Sequence, residues 1–274
     1  MNGKTDWVYP EELDQREAFW WSPDGRKIAC LQFDERTVYR FPIIHELTAD
    51  RKPAFETMLE LERYPKAGKP YPTVKLFVID LETKNPVEVG TESGPDVYIT
   101  RIAWRKDGGE LFFQRLNRLQ NRLELKAANP TTGETRTILV EEEECYINLH
   151  EDFYQLGDNR HFIWSSERTG WKHLYLYDYS GKLIAPLTRG ESEASAVSLV
   201  DEKNGWVYFT IQVYGGPSHR NSNACQTAGP KAQLGYIVWE LDGRGTTRRG
   251  KNSSPQPTSS TTPFTPSATC AFPK

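Results

Sequence analysis

The sequence predicts a mostly β chain: an incomplete β-propeller of about four blades, followed by the beginning of an α/β domain. Three observations carry this prediction. Short runs rich in aromatic and β-branched residues are broken by turns of Gly, Asp, Asn and Pro. The turn Trp21-Ser22-Pro23-Asp24-Gly25 returns as Trp104-Arg105-Lys106-Asp107-Gly108 about 83 residues later, near two periods of a four-stranded blade. After Ile211 the pattern changes to apolar strands ending in glycine loops, at 213–217 and 235–245, as in a parallel α/β sheet. A two-sheet sandwich has similar strand spacing, and the repeat favours the propeller over it.

Taken in order, the first element is a short acidic helix or turn at 6–13. Asp6 can cap it, or Pro10 can start it at the first helical position, where a missing N–H costs nothing. Glu11 and Glu12 then fall in the first turn, where the helix dipole favours negative charge. Residues 19–21 and 27–33 flank Ser22-Pro23-Asp24-Gly25 and read as a hairpin. Further strands are expected at 38–45, 75–80, 99–104, 110–116, 122–126, 135–140, 161–165, 173–179 and 206–211. Asp158-Asn159 and residues 201–205 mark two later blades, and the turns at 80–85, 129–133 and 178–181 supply second hairpins. Residues 1–211 are thus expected to form the partial propeller and 212–250 the start of the second domain. Residues 251–274 are a Ser/Thr/Pro-rich tail that cannot bury a core and is expected to be disordered. The abrupt change into this tail fits a shifted reading frame or a join.

Composition narrows the partners. A formal charge of -3 gives no basic excess, so neither nucleic acid nor an anionic membrane surface is an expected partner. No apolar run of about 18 residues is present to span a bilayer. The stretch Met1-Asn2-Gly3-Lys4-Thr5 is not followed by an apolar segment, so no signal peptide is expected, and the compartment stays open. The four cysteines, Cys30, Cys145, Cys225 and Cys270, lack Cys-x-x-Cys spacing, which argues against a zinc knuckle or a disulfide framework. Cys30 and Cys145 read as buried small hydrophobes. The five histidines, His45, His150, His161, His173 and His219, lack ligand partners at metal spacing, so neither metal nor cofactor is expected. The acidic run at 141–144 reads as a solvated loop, and Trp171-Lys172-His173-Leu174-Tyr175 as a strand packed on one side. Arg244, after a glycine loop, reads equally as a substrate contact or a structural ion pair.

Glu11 and Glu12 are the candidate binding residues. Adjacent carboxylates repel, and a bound ammonium relieves that cost, although such a pair taken alone is more often a solvated turn. Several ordered motifs surround the pair. They are the segment at 6–13, Phe19 to Gly25, Tyr64-Pro65-Lys66-Ala67-Gly68 with Pro72-Thr73-Val74-Lys75, and Arg118-Leu119-Gln120-Asn121. Ser166-Glu167-Arg168-Thr169-Gly170-Trp171 with His173-Leu174-Tyr175, Leu187-Thr188-Arg189-Gly190, Val213-Tyr214-Gly215-Gly216-Pro217 and Asp242-Gly243-Arg244-Gly245 follow. Through these motifs, from Asp6 to about Gly250, the chain resembles dipeptidyl peptidase IV and its bacterial relatives in the prolyl oligopeptidase superfamily.

The resemblance implies a propeller beside an α/β-hydrolase domain, of which 212–250 would be the beginning. It implies a serine peptidase that removes dipeptides from peptides with a free amino terminus and Pro or Ala second. Glu11 and Glu12 match the acidic pair that holds the substrate's amino terminus, and Tyr214 the tyrosine that helps form the oxyanion hole. Pro10 stands where many relatives carry another acidic residue. The chain departs from the family in having no Gly-x-Ser-x-Gly elbow; Gly90-Thr91-Glu92-Ser93-Gly94 has the wrong spacing, and no histidine is placed as a triad base. No Ser-Asp-His triad is found, so the chain is expected to be inactive alone. It also starts late and lacks at least one blade before Gln212, so its terminal blades are expected to expose strand edges. A homo-oligomer is compatible with the resemblance, although the regions through which relatives pair are largely absent. The alternative function is a non-catalytic propeller module that binds peptides or proteins.

Overall fold

The computed structural model describes residues 2–45, 58–92, 94, 96–214, 239–242 and 270–271. His219, Cys225 and Arg244, the glycine loops at 215–217 and 243–245, and nearly all of the tail at 251–274 lie outside the described residues. The chain forms two compact units, Met1–Ile147 and Asn148–Lys274.

The first unit opens with a helix, α1 (Val8–Glu12), followed by β1 (Phe19–Trp21) and β2 (Lys27–Asp34). A two-stranded hairpin, β3 (Arg40–His45) with β4 (Met58–Arg63), precedes β5 (Thr73–Asp80) and β6 (Pro86–Glu88). The sheet order is β1-β2-β5-β6, all antiparallel, with the hairpin as an excursion between β2 and β5. Ala29, Leu31 and Phe33 of β2 and Val74, Leu76 and Val78 of β5 are buried, the period-two alternation of a strand. The next meander is β7 (Val97–Trp104), β8 (Leu111–Asn117), β9 (Arg122–Ala128) and β10 (Thr135–Glu142). In β8 Leu111, Phe112, Phe113 and Gln114 are buried in succession, so both faces of this strand are covered.

The second unit holds the meander β11 (Phe153–Gln155), β12 (His161–Ser166), β13 (His173–Asp178) and β14 (Leu183–Pro186). Its last sheet pairs β15 (Ser192–Asp201) antiparallel with β16 (Trp206–Tyr214), which also adjoins β17 (Trp239–Asp242) in parallel and β18 (Cys270–Ala271) antiparallel. Ile163, Leu174, Leu176, Val207 and Phe209 belong to one apolar core shared by these two sheets.

The repeated turns join the first two strands of each sheet. Gly25 N–H donates to Ser22 O at 2.9 Å, and Gly108 N–H to Arg105 O at 2.8 Å, with φ of +70° and +75°. Asn159 (φ +53°) and Gly205 (φ +73°) occupy the same left-handed conformation in the β11–β12 and β15–β16 turns. The second-hairpin turns are built alike: Asp80, Asn129 and Asp178 each accept N–H groups two or more residues ahead through Oδ1.

All nine strand stretches expected beyond the first hairpin are strands. Strands β4, β6, β11, β14, β15 and β18 went unforeseen, the last of them a two-residue pairing inside the stretch expected to be a disordered tail. Three of these, β6, β11 and β14, are only three or four residues long, too short for periodicity to register, and β15 is rich in Ser, Glu and Ala. Three expectations are corrected. Cys145 is exposed, in the polar stretch that follows β10, whereas Cys30 is half-buried in β2. The acidic run is not a loop throughout, since Glu141 and Glu142 belong to β10 and Glu141 is buried. Strand β13 is buried on both faces from His173 to Tyr177 rather than on one.

Candidate functional site

Helix α1 positions the acidic pair. Its N-cap residue is Trp7, whose side chain makes no capping bond; instead Asp6 Oδ1 accepts the Tyr9 N–H at 3.0 Å. Of the two starts open in the sequence, Asp6 is therefore the one used. Pro10 is the third helical residue, still among the positions whose N–H has no intrahelical acceptor. Burial is the main influence on Asp6 and pushes its carboxyl up to about 6, with the Tyr9 and Val8 amides pulling the other way.

The inward side of α1 is fixed by contacts distant in sequence. Val8, Tyr9 and Leu13 are buried. The Tyr9 ring meets Phe33 of β2 edge-on at 4.8 Å, and its hydroxyl accepts the Ile99 N–H of β7 at 2.9 Å. Burial raises the Tyr9 pKa, so the hydroxyl stays neutral. Trp7 packs edge-on against Tyr64 at 4.3 Å. After the helix, the Leu13 and Gln15 N–H groups both donate to Tyr9 O, at 3.2 and 3.0 Å. Gln15 Oε1 accepts Thr100 Oγ1–H at 2.9 Å and the Arg101 N–H at 3.0 Å, and Arg101 Nη1 donates to Leu13 O at 2.7 Å.

Glu11 and Glu12 are exposed; Glu11 lies in the first turn as expected, but α1 is only five residues long and Glu12 is its last residue, at the carbonyl end. Two adjacent carboxylates thus stand on the free side of a turn held from within, and together they offer enough acceptors for the three N–H bonds of an ammonium. Tyr214 is the last residue of β16, its backbone in register with Asp242 of β17. It belongs to the second unit, whereas Glu11 and Glu12 belong to the first. Strand β16 runs without a break through 211–212, the point at which the sequence pattern changes.

The described histidines have local partners. His45 Nε2 lies 2.6 Å from Glu60, and His161 Nδ1 lies 2.5 Å from Asp158. His150 Nδ1 accepts the Asp152 N–H, and its ring packs edge-on against Trp164. His173 sits between Thr188 Oγ1 and Gly190 O, where burial lowers its pKa. Among the described residues no group of three or more His, Cys, Asp or Glu could hold a metal ion, and no helix is long and apolar enough to cross a membrane.

Sequence reasoning missed Tyr9, Gln15 and Arg101. Only Arg101 left a trace, as a charged residue inside the otherwise uncharged strand Val97–Trp104.

Four-stranded meanders in series, joined by Asp/Asn-centred turns, define a propeller-type domain, here carrying an acidic turn on its first sheet. Residues 1–227 match the family described as the dipeptidyl peptidase IV (DPP IV) N-terminal region, and the chain belongs to that family. It is 32% identical over 221 residues to dipeptidyl peptidase 4 of Arthroderma otae, covering 77% of this chain and 28% of that protein. Dipeptidyl peptidase 4 of Trichophyton equinum is 31% identical over 223 residues, covering 78% of this chain and 29% of the relative. The crystal structure of Porphyromonas gingivalis dipeptidyl peptidase 4 superposes with a TM-score of 0.68 at 29% identity, over 76% of this chain and 29% of that one. The chain therefore spans less than a third of the length of these relatives, and its fold is that of a partial β-propeller of their kind.

Proposed function

We propose that this chain is the amino-terminus-recognition part of a dipeptidyl peptidase IV-like serine peptidase. Glu11 and Glu12 would bind the free ammonium of a peptide whose second residue is Pro or Ala. The observation that supports this reading most is the setting of the pair: both carboxylates are exposed while the turn beneath them is fixed by Asp6, Tyr9 and Gln15. A solvated acidic turn has no need of such support. Tyr214 would supply an oxyanion-hole hydroxyl, and residues 212–250 would begin the hydrolase domain after a propeller region at 1–211, with 251–274 as a tail.

Chemistry requires more than recognition. A nucleophilic elbow of the form Gly-x-Ser-x-Gly does not occur in the sequence, so no serine is set up for attack and the chain alone would not turn over substrate. Incubating the purified chain with a Gly-Pro chromogenic amide is expected to release no chromophore; release abolished by a serine-directed inhibitor would refute the inactive assignment. Calorimetry with a free Gly-Pro-Gly peptide and its N-acetylated form tests recognition. Preference for the free amine of about tenfold or more, lost in Glu11→Gln/Glu12→Gln, is expected from charge-assisted hydrogen bonds. Equal binding of both peptides would overturn the reading.

A further inference from the structure

We propose that Arg101 of β7, acting with Gln15, is a positioning residue that holds the Glu11-Glu12 pair in the geometry an amino terminus requires, an inference that rests on the function proposed above. Arg101 does not occupy an ordinary strand position. Its φ is +51°, and the register of β7 against β8 shifts between Thr100 and Ala103. A non-glycine residue in left-handed conformation inside a strand is strained, and bulges of this kind commonly re-aim a side chain.

Here the bulge places the guanidinium at the end of α1. Arg101 Nη1 reaches Leu13 O, one residue past Glu12, at 2.7 Å. Arg101 N–H is tied to Gln15 Oε1, and Gln15 also receives Thr100 Oγ1–H. Arg101 is thus bonded to both Leu13 and Gln15, Thr100 to Gln15 alone, while Tyr9 OH takes the neighbouring Ile99 N–H. Three consecutive residues of one strand, Ile99, Thr100 and Arg101, fix a segment some 85 to 90 positions earlier in the chain.

Two consequences follow for the pair. The carbonyl end of α1 carries partial negative charge, and adjacent glutamates add to it, so the guanidinium offsets a local excess of anion. The backbone that carries Glu12 is also prevented from unwinding at its exposed end. Both effects act on the glutamates without Arg101 touching substrate.

The test uses the full chain and the Gly-Pro-Gly peptide in free and N-acetylated forms. Arg101→Met is expected to weaken binding of the free peptide about tenfold and leave the weak binding of the acetylated peptide unchanged; Arg101→Lys, which keeps the charge and one donor, should restore most of the loss. Amide hydrogen exchange supplies a second readout that needs no peptide. The Leu13 and Gln15 amides should exchange at least tenfold faster in Arg101→Met, with the β12–β13 amides unchanged. Wild-type preference for the free peptide that survives Arg101→Met would overturn the inference while leaving the functional reading intact. Absence of any preference in wild type would remove the functional reading, and unchanged exchange at Leu13 and Gln15 would then overturn the positioning role as well. Should Arg101→Met not fold, Gln15→Leu, which removes the acceptor of the Thr100 hydroxyl and the Arg101 N–H, carries the same comparison: unchanged exchange at Leu13 and unchanged peptide preference would overturn it.

Discussion

Asp24 in the β1–β2 turn and Asp6 before α1 both accept backbone N–H groups through Oδ1, yet their surroundings push them in opposite directions. Asp24 is exposed and bonded only to close neighbours, Ser22 Oγ–H at 2.7 Å and the Arg26 N–H at 3.1 Å, and the Ser22 hydrogen bond leads in holding its carboxyl below the usual carboxylate range. Asp6 is buried, and desolvation raises it to about 6 in spite of its own backbone donors. The difference separates two ways of fixing a segment. A turn such as Ser22 to Gly25 is completed by bonds two to five residues long, whereas α1 is completed by β7, some 90 residues away.

Glycines show the same contrast with the largest expected effect. Gly25 and Gly133 both have positive φ, +70° and +76°, but a Cβ on Gly25 meets nothing within 4 Å, whereas one on Gly133 would lie 2.1 Å from Glu88 O. Gly133→Ala should therefore cost about 3 kcal/mol or more, since backbone on both sides must move. Denaturant unfolding checks this; a loss below about 1 kcal/mol would show that the β6 approach to this turn is not rigid.

Tyr9→Phe comes next. Removing the hydroxyl leaves the Ile99 N–H without its acceptor in a buried place, at an expected cost of about 2 kcal/mol, readable in the same unfolding curves. A neutral result would mean that the Tyr9 hydroxyl adds nothing to the ring packing and the Asp6, Gln15 and Arg101 bonds that also hold this segment.

The pH dependence follows from the sign of the Asp6 shift. A carboxyl whose folded pKa is raised, here from 3.8 to about 6, binds more protons in the folded state between those values, so stability falls as pH rises through that window. Asp6→Asn keeps the Oδ1 acceptor and removes the charge. Its melting temperature should exceed that of wild type at pH 7, by the equivalent of about 2 kcal/mol, and the gap should close toward pH 4. The turn aspartates work the other way: Asp24, Asp80 and Asp178, all lowered, contribute stability that is lost as pH falls below 3.8. Melting at a series of pH values separates the two groups, and a gap constant with pH would contradict the assignment. Gly25→Ala closes the series at about 1 kcal/mol, the cost of left-handed backbone with no clash.

Legibility in the sequence divides along the same line. The turns at Asp24-Gly25, Asp107-Gly108, Asn159 and Gly205 could be read directly because each is specified by residues adjacent in the chain, and their spacing was enough to indicate four sheets. Glu11 and Glu12 were legible as a pair, and Asp6 as one of two ways to start the helix. Tyr9, Gln15 and Arg101 were not, because the partners that define their roles lie in another sheet. Arg101 could have been questioned as a charge in the middle of β7, but nothing local indicates the bulge that turns it toward Leu13.

The most direct test of a rigidly supported acidic pair that reads amino termini is to follow the backbone amides of the 15N-labelled chain during titration with free Gly-Pro-Gly. Shifts should concentrate on residues 11–15 and on Ile99 to Arg101, saturate together, and be absent with the N-acetylated peptide. Shifts of equal size with both peptides, or confined to residues outside α1 and β7, would contradict it.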